Sequence, residues 1–119
     1  MTVKFRFQDL KIWDLSIEIA YELLDLANEL DQKRLYCFAE QLRGAAMSMS
    51  NNIAEGSGSS SKKEFSQVLN IARRSTFENA NILILLQMRN LLTRNSLDKH
   101  LDQLDHLCGQ ITNFQASLR

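Results

Sequence analysis

Apolar residues recur along this chain at steps of three and four, in four long stretches separated by short polar links. That spacing places the apolar side chains on one face of an α-helix. The pattern predicts helices at about 9–30, 35–56, 61–92 and 96–118. Short links make successive helices antiparallel neighbours. We therefore expect an all-α protein, an antiparallel up-down-up-down four-helix bundle, with residues 1–119 forming a single domain.

The first predicted helix carries two apolar stripes. One stripe comprises Leu10, Trp13, Ile17, Ala20, Leu24 and Ala27, and the other comprises Ile12, Ile19, Leu23, Leu26 and Leu30. A helix with two apolar stripes needs cover on two sides. A small bundle covers one side, so this helix predicts self-association. Trp13 is interpreted as a packing residue, because large aromatic side chains dominate protein cores.

Polar residues mark the expected ends of these helices. Asp9 is placed to cap the first helix. The second ends at Gly56, in a run of glycine and serine. Ser61 followed by Glu64 predicts a capping box, in which each side chain binds the other residue's backbone amide. The segment 93–95 is expected to separate the third helix from the fourth.

The second helix also carries a line of polar residues beside its apolar face. These are Gln41, Ser48, Asn52 and Glu55. Because buried polar groups need partners, the line predicts a specific contact. We interpret the stripe as structural, with Glu55 paired to an arginine such as Arg43 or Arg73. The alternative is that it forms a functional contact surface.

Charge is balanced overall but uneven along the chain. Fourteen basic and fourteen acidic residues give a formal net charge of zero, so global charge provides no argument for nucleic-acid binding. Segment 61–95 nevertheless contains six basic residues against two acidic ones. This excess predicts a positive face on the third helix. The alternative is that these charges are simply solvated.

The residues needed for several kinds of chemistry are missing from the sequence. It has no Glu-x-x-His pair, no CxxC motif and no phosphate-binding loop, and the serines at 59–61 have no histidine base nearby in the sequence. We therefore predict no catalytic residue, no metal site and no cofactor. Cys37 and Cys108 are expected to be small buried residues. Without a signal peptide or a membrane-spanning apolar run, we expect a cytoplasmic protein with no membrane partner.

Five segments, taken in order, resemble one protein family. They are Phe7–Trp13, Gln41–Ser48, Asn52–Gly56, Glu64–Phe65 and Ile71–Glu78. In these segments the chain resembles the four-helix bundle proteins encoded by intervening sequences in bacterial 23S rRNA genes. The resemblance implies a homopentameric ring and kinship with the nucleic-acid-binding accessory bundles of diversity-generating retroelements. It brings no catalytic residues. Gly44 replaces a frequent arginine of the family, and Arg74 replaces a frequent glycine.

Together these observations predict a non-enzymatic oligomeric module that binds RNA or DNA through backbone phosphates. The expected contacts are Lys62, Lys63, Arg73, Arg74 and Arg43. Lys62 and Lys63 lie in the first turn of the third helix, where free amides and the helix dipole favour a bound anion. Arg74 follows Lys63 by eleven residues and lies on nearly the same face. The alternative function is a structural or partner-binding scaffold without nucleic-acid affinity.

Overall fold

The structure is a computed structural model that describes residues 2–119. A short 3-10 helix, Arg6–Asp9, precedes four α-helices. These are α1 (Lys11–Gln32), α2 (Tyr36–Ser57), α3 (Lys62–Met88) and α4 (Arg94–Ser117). No residue in the described range lies in a β-strand. The predicted all-α class and its four helices are confirmed.

Each helix contributes its apolar face to one hydrophobic core. The largest completely buried side chains come from all four helices and include Ile19, Leu23, Leu42, Met49, Ile53, Phe65, Leu69, Leu83, Leu107 and Ile111. α2 packs against α1 and α3, and α4 packs against α3 and α1. Contacts between α2 and α3 run in opposite sequence directions, since Ala45 meets Asn79 while Ser48 meets Ser75.

The expectation that α1 leaves an apolar stripe uncovered is wrong for the single chain. Every residue of its second stripe, Ile12 to Leu30, is buried, and Leu10 and Trp13 of the first stripe pack against the core. The physical reason is that α1 contacts α2, α4 and the 3-10 helix together. Five of the ten exposed large apolar side chains lie on α3, where Phe77 is 61% and Met88 71% exposed.

The start of α1 and the end of α3 differ from their predicted positions. Asp9 belongs to the 3-10 helix, and the N-cap of α1 is Leu10, without a side-chain hydrogen bond. α3 ends at Met88, because Asn90 adopts a left-handed conformation with φ 60°. The Leu91 amide then donates to the Leu86 carbonyl at 2.8 Å, which closes the helix end.

The starts of α3 and α4 depend on hydroxyl caps. Ser61 Oγ accepts a hydrogen bond from the Glu64 amide at 3.1 Å, as predicted. The reciprocal bond from the glutamate side chain does not occur in the described range. Thr93 caps α4 by accepting from the Ser96 amide at 3.1 Å, so α4 begins at Arg94, within the segment predicted as a break. A capped terminus explains the earlier start.

Candidate nucleic-acid interface

The first turn of α3 presents two lysines to solvent. Lys62 and Lys63 follow the Ser61 cap, and both are exposed. Neither forms an ion pair with any residue in the range 2–119. The first amides of a helix have no partner within the helix, and its dipole adds partial positive charge there. This terminus therefore combines two free cations with a helix field that attracts anions, and the exposed carboxylate of Glu64 in the same turn lowers the positive potential.

Lys63 also lines a groove between the start of α3 and the end of α4. The groove encloses about 380 Å³ and is lined by Lys63, Ser66, Gln67, Gln115, Leu118 and Arg119. Gln115 Nε2 donates to the Ser66 carbonyl at 2.9 Å, which fixes α4 against α3. No carboxylate side chain lines this groove. We name these six residues the Lys63 groove.

Sequence reasoning missed the contribution of α4 to this site. Arg119 and Gln115 reach the Lys63 groove only because α4 packs beside α3. In the sequence they stand more than fifty residues from Lys63, with no motif linking them. The run of basic residues in 61–95 revealed one half of the groove and could not reveal the other.

Arg74 extends the basic face along α3. It is exposed and forms no ion pair among residues 2–119, and it borders a cleft with Ser48, Ser75 and Glu78. The eleven residues from Lys63 to Arg74 advance the helix by about 17 Å. Viewed down the helix axis, the two side chains leave the helix in directions about 20° apart. The two charges therefore lie along one line on the same face. Glu78 lowers the positive potential at the Arg74 end of that line.

Two arginines predicted as contacts are engaged within the chain. Arg73 Nε donates to Thr112 Oγ1 at 3.0 Å, and its guanidinium lies 5.7 Å from the centre of the Phe77 ring. Arg73 therefore connects α3 to α4.

Arg43 lies away from the Lys63 groove, where its guanidinium binds acceptors on α1 and α2. The three contacts are Asp31 Oδ2 at 2.6 Å, Asn28 Oδ1 at 3.2 Å and Glu40 Oε1 at 3.4 Å. These partners occupy much of the donor capacity that a phosphate would use.

The polar stripe of α2 divides into two kinds of residue. Ser48 Oγ lies 2.8 Å from Ser75 Oγ, and Asn52 Nδ2 donates to the Ser48 carbonyl at 2.8 Å and to its hydroxyl at 3.1 Å. Gln41 and Glu55 are exposed instead, and their side chains form no hydrogen bond in the described range. The proposed pairing of Glu55 with Arg43 or Arg73 is wrong, because both arginines have other partners.

The seam between α2 and α3 contains two polar residues to which the sequence assigned no structural role. Asn79 is completely buried and donates to the carbonyls of Ala45 and Ser75, each at 2.8 Å. Ser75 is also buried and meets Ser48 across the seam. Their spacing of four residues is the available sequence signal, since it places both on the face that α2 covers.

Arg6 holds the amino-terminal segment against the α2–α3 connection. Its Nη1 donates to the Ser57 carbonyl at 3.3 Å, and its guanidinium lies 5.3 Å from the centre of the Phe65 ring. Phe65 in turn meets Phe114 edge-on at 5.4 Å between ring centres. The start of α3, which carries Lys62 and Lys63, is therefore held in place by packed aromatic rings.

The cysteines and histidines form no site in the described range. Cys37 is exposed on the outer face of α2 and Cys108 is half-buried, so the prediction of two buried cysteines is wrong. Position 37 precedes exposed Gln41 by one helical turn and shares its face. Among residues 2–119, no group of three or more His, Cys, Asp or Glu side chains could hold a metal ion. Nor is any helix there long and apolar enough to cross a membrane.

Comparison with known proteins gives a family and a fold. The family model described as 23S rRNA-intervening sequence protein matches residues 8–113. No curated protein matches the chain significantly. A crystal structure of a protein of unknown function from the S23 ribosomal protein family of Bacteroides thetaiotaomicron superposes with a TM-score of 0.83 at 22% identity. That match covers 87% of this chain and 97% of the other. Neither description names a reaction.

Proposed function

The chain belongs to the family of 23S rRNA-intervening sequence proteins, and from that premise we propose that it is a single-domain, non-enzymatic, homo-oligomeric module that binds RNA or DNA through backbone phosphates. The observation that carries the proposal is a line of exposed, unpaired cations on α3. Lys63 and Arg74 lie on this line and Lys62 adjoins Lys63 in the first turn, on a protein of zero net charge.

Helix energetics support an anion at the start of α3. Acidic residues are favourable in the first turn of a helix, and basic residues there oppose the dipole. Two lysines at this terminus therefore reduce the stability of α3 slightly in the absence of a ligand. A phosphate between them would reverse that effect, because lysine ammonium groups and free helix amides both donate to its oxygens.

Self-association would multiply this modest patch. We propose that the bundle has up-down-up-down topology and that copies assemble into the pentameric ring implied by the family resemblance. The supporting surface is the carboxyl-terminal half of α3, where Phe77, Ile84, Leu85 and Met88 are exposed. Exposed apolar residues that share a helix face, as Phe77, Ile84 and Met88 do, are typical of protein interfaces. Several identical patches on one ring increase avidity for a long polyanion.

The same apolar face favours a second candidate function. A structural or partner-binding scaffold would use Phe77, Ile84 and Met88 to assemble, while Lys62 and Lys63 would remain solvated. This candidate predicts assembly without nucleic-acid affinity. The two functions are therefore separated by one measurement on the assembled protein.

The test is the salt dependence of binding to fluorescent single-stranded RNA and duplex DNA. We expect measurable affinity for the parent, falling steeply as NaCl rises. We expect the variant Lys62→Glu with Lys63→Glu to bind much more weakly than the parent while its mass by light scattering stays unchanged. Removing two phosphate contacts per bound protomer would reduce the salt slope by about 1.4 on single strands and about 1.8 on duplex.

A control carries the same charge change at two lysines outside α3, one of which, Lys4, is paired with Asp9. Lys4→Glu with Lys11→Glu alters two exposed lysines near the start of α1, and we expect it to retain most of the affinity. If the parent shows no salt-sensitive binding, or if the α3 variant binds as well as the parent, the nucleic-acid proposal fails. The scaffold function would then be preferred.

A further inference from the structure

A second polar groove lies between the residues that follow α1 and the loop that joins α3 to α4. It encloses about 420 Å³, and its polar lining consists of Lys33, Gln87, Asn90, Thr93 and Arg94. No carboxylate lines it. Three other surface grooves are each lined by a carboxylate. One contains Glu78, another contains Asp105, and the third contains both Asp14 and Glu18. Like the Lys63 groove, this one combines two cations with side-chain amides.

The surroundings of this groove are also basic. Arg34 and Arg89 lie in the same two connections, and both are exposed without an ion pair in the described range. The neighbouring carboxylate of Asp31 is already bound by Arg43. Arg94 Nε lies 3.2 Å from Asp98 Oδ1, but the two side chains are 73% and 57% exposed. An ion pair so exposed is weak and can be exchanged for a better acceptor.

We propose that this groove, which we name the Lys33 groove, binds a phosphate group between Lys33 and Arg94. Lys33 follows α1 and Arg94 begins α4, so the fold and not one basic run brings the two side chains together. The amides of Asn90 and Gln87 add neutral donors. Because Thr93 Oγ1 caps the Ser96 amide, the amides of Arg94 and Asn95 remain available at the start of α4.

The Lys33 groove is separate from the Lys63 groove. α3 has 27 residues and therefore spans about 40 Å, with Lys63 at its start and Asn90 just beyond its end. The inference does not rest on the proposed nucleic-acid function. The phosphate group could belong to a nucleic-acid backbone or to a free anion, and the same lining would bind either.

Isothermal titration with inorganic pyrophosphate at constant ionic strength tests the inference. The parent is compared with Lys33→Gln plus Arg94→Gln, which removes both charges at exposed positions. We expect this variant to bind one pyrophosphate fewer per protomer than the parent, with an unchanged circular dichroism melt. The conservative variant Lys33→Arg plus Arg94→Lys should retain the site, because it keeps both charges.

The inference is overturned if the Lys33→Gln, Arg94→Gln variant binds the same number of pyrophosphate ions as the parent. A second arm identifies the source of the phosphate with single-stranded RNA. If RNA occupies the groove, the salt slope falls by about 1.4 in this variant. An unchanged slope beside lost pyrophosphate binding assigns the groove to a free anion. Failure of the Lys62, Lys63 test would leave the pyrophosphate result unaffected.

Discussion

Replacing Gly56 by alanine tests how closely α2 and α3 approach each other. Gly56 is buried near the end of α2. A Cβ atom there would lie 2.9 Å from Phe65 Cδ1, 3.1 Å from Phe65 Cε1 and 3.4 Å from Val68 Cβ. The Phe65 ring is 2% exposed and is held between Phe114 and Arg6, so it cannot move aside without losing those contacts.

The expected magnitude follows from two opposing effects. Overpacking a well-filled site costs about 1–3 kcal/mol. Alanine is favoured over glycine inside a helix by about 1 kcal/mol. Gly44 provides the matched control, because it lies in the same helix with nothing within 4 Å of its added Cβ. We therefore expect Gly44→Ala to raise stability and Gly56→Ala to be about 1–3 kcal/mol less stable than Gly44→Ala.

The assay is urea and thermal unfolding followed by circular dichroism at two protein concentrations, so that changes in assembly are separated from changes in folding. The difference between the variants corresponds to roughly 4–12 °C in Tm for a domain of this size. Phe65→Leu should relieve the clash in a double-mutant cycle with Gly56→Ala. The reasoning is refuted if Gly56→Ala equals Gly44→Ala in stability, or if Phe65→Leu leaves the difference unchanged.

Two further predictions concern assembly and pH. Phe77→Glu with Met88→Glu should give a monomer of 13.7 kDa by light scattering with its helices intact. The control Tyr21→Glu, on α1, should keep the mass of the parent. An unchanged mass for the double variant would exclude this face of α3 as the interface. The pKa of Glu22 is lowered, chiefly by the hydrogen bond from Lys99. The ionised Glu22 carboxylate therefore stabilises the folded state fully above pH 4.5, its usual pKa. This stabilisation is lost as pH falls through the lower pKa of the folded state. Lys99→Met should therefore lower the free energy of unfolding at neutral pH by about 0.2–1 kcal/mol. In acid, variant and parent should become equally stable, and a difference in stability that is the same at every pH would contradict this.

The sequence alone was sufficient for the class of fold and for the inner faces of the helices. Steps of three and four place apolar residues on one side of a helix whatever the helix packs against, so Leu42, Ile53 and Leu69 could be assigned to the core directly. The Ser61 cap was equally predictable, because it involves atoms only three residues apart. The resemblance to the intervening-sequence proteins also depended on local motifs.

The tertiary structure decided which surfaces are free. Whether the second stripe of α1 is covered depends on the distance to α2, α4 and the 3-10 helix, and no local pattern contains that distance. The same limit applied to the arginines. Arg43 and Arg73 looked equivalent to Arg74 in the sequence, yet partners up to 39 residues away bind the first two and leave Arg74 exposed.

The two basic grooves show the same difference between what local sequence predicts and what helix packing decides. The sequence contained Lys63 and Arg119, and also Lys33 and Arg94, but it gave no reason to pair them. Each pair meets because helix packing brings distant segments together around one groove. Local periodicity is a property of neighbouring residues, so the sequence by itself determined the helices and their apolar faces. Charge clusters depend on separations in space, so only the tertiary structure could decide where an anion would bind.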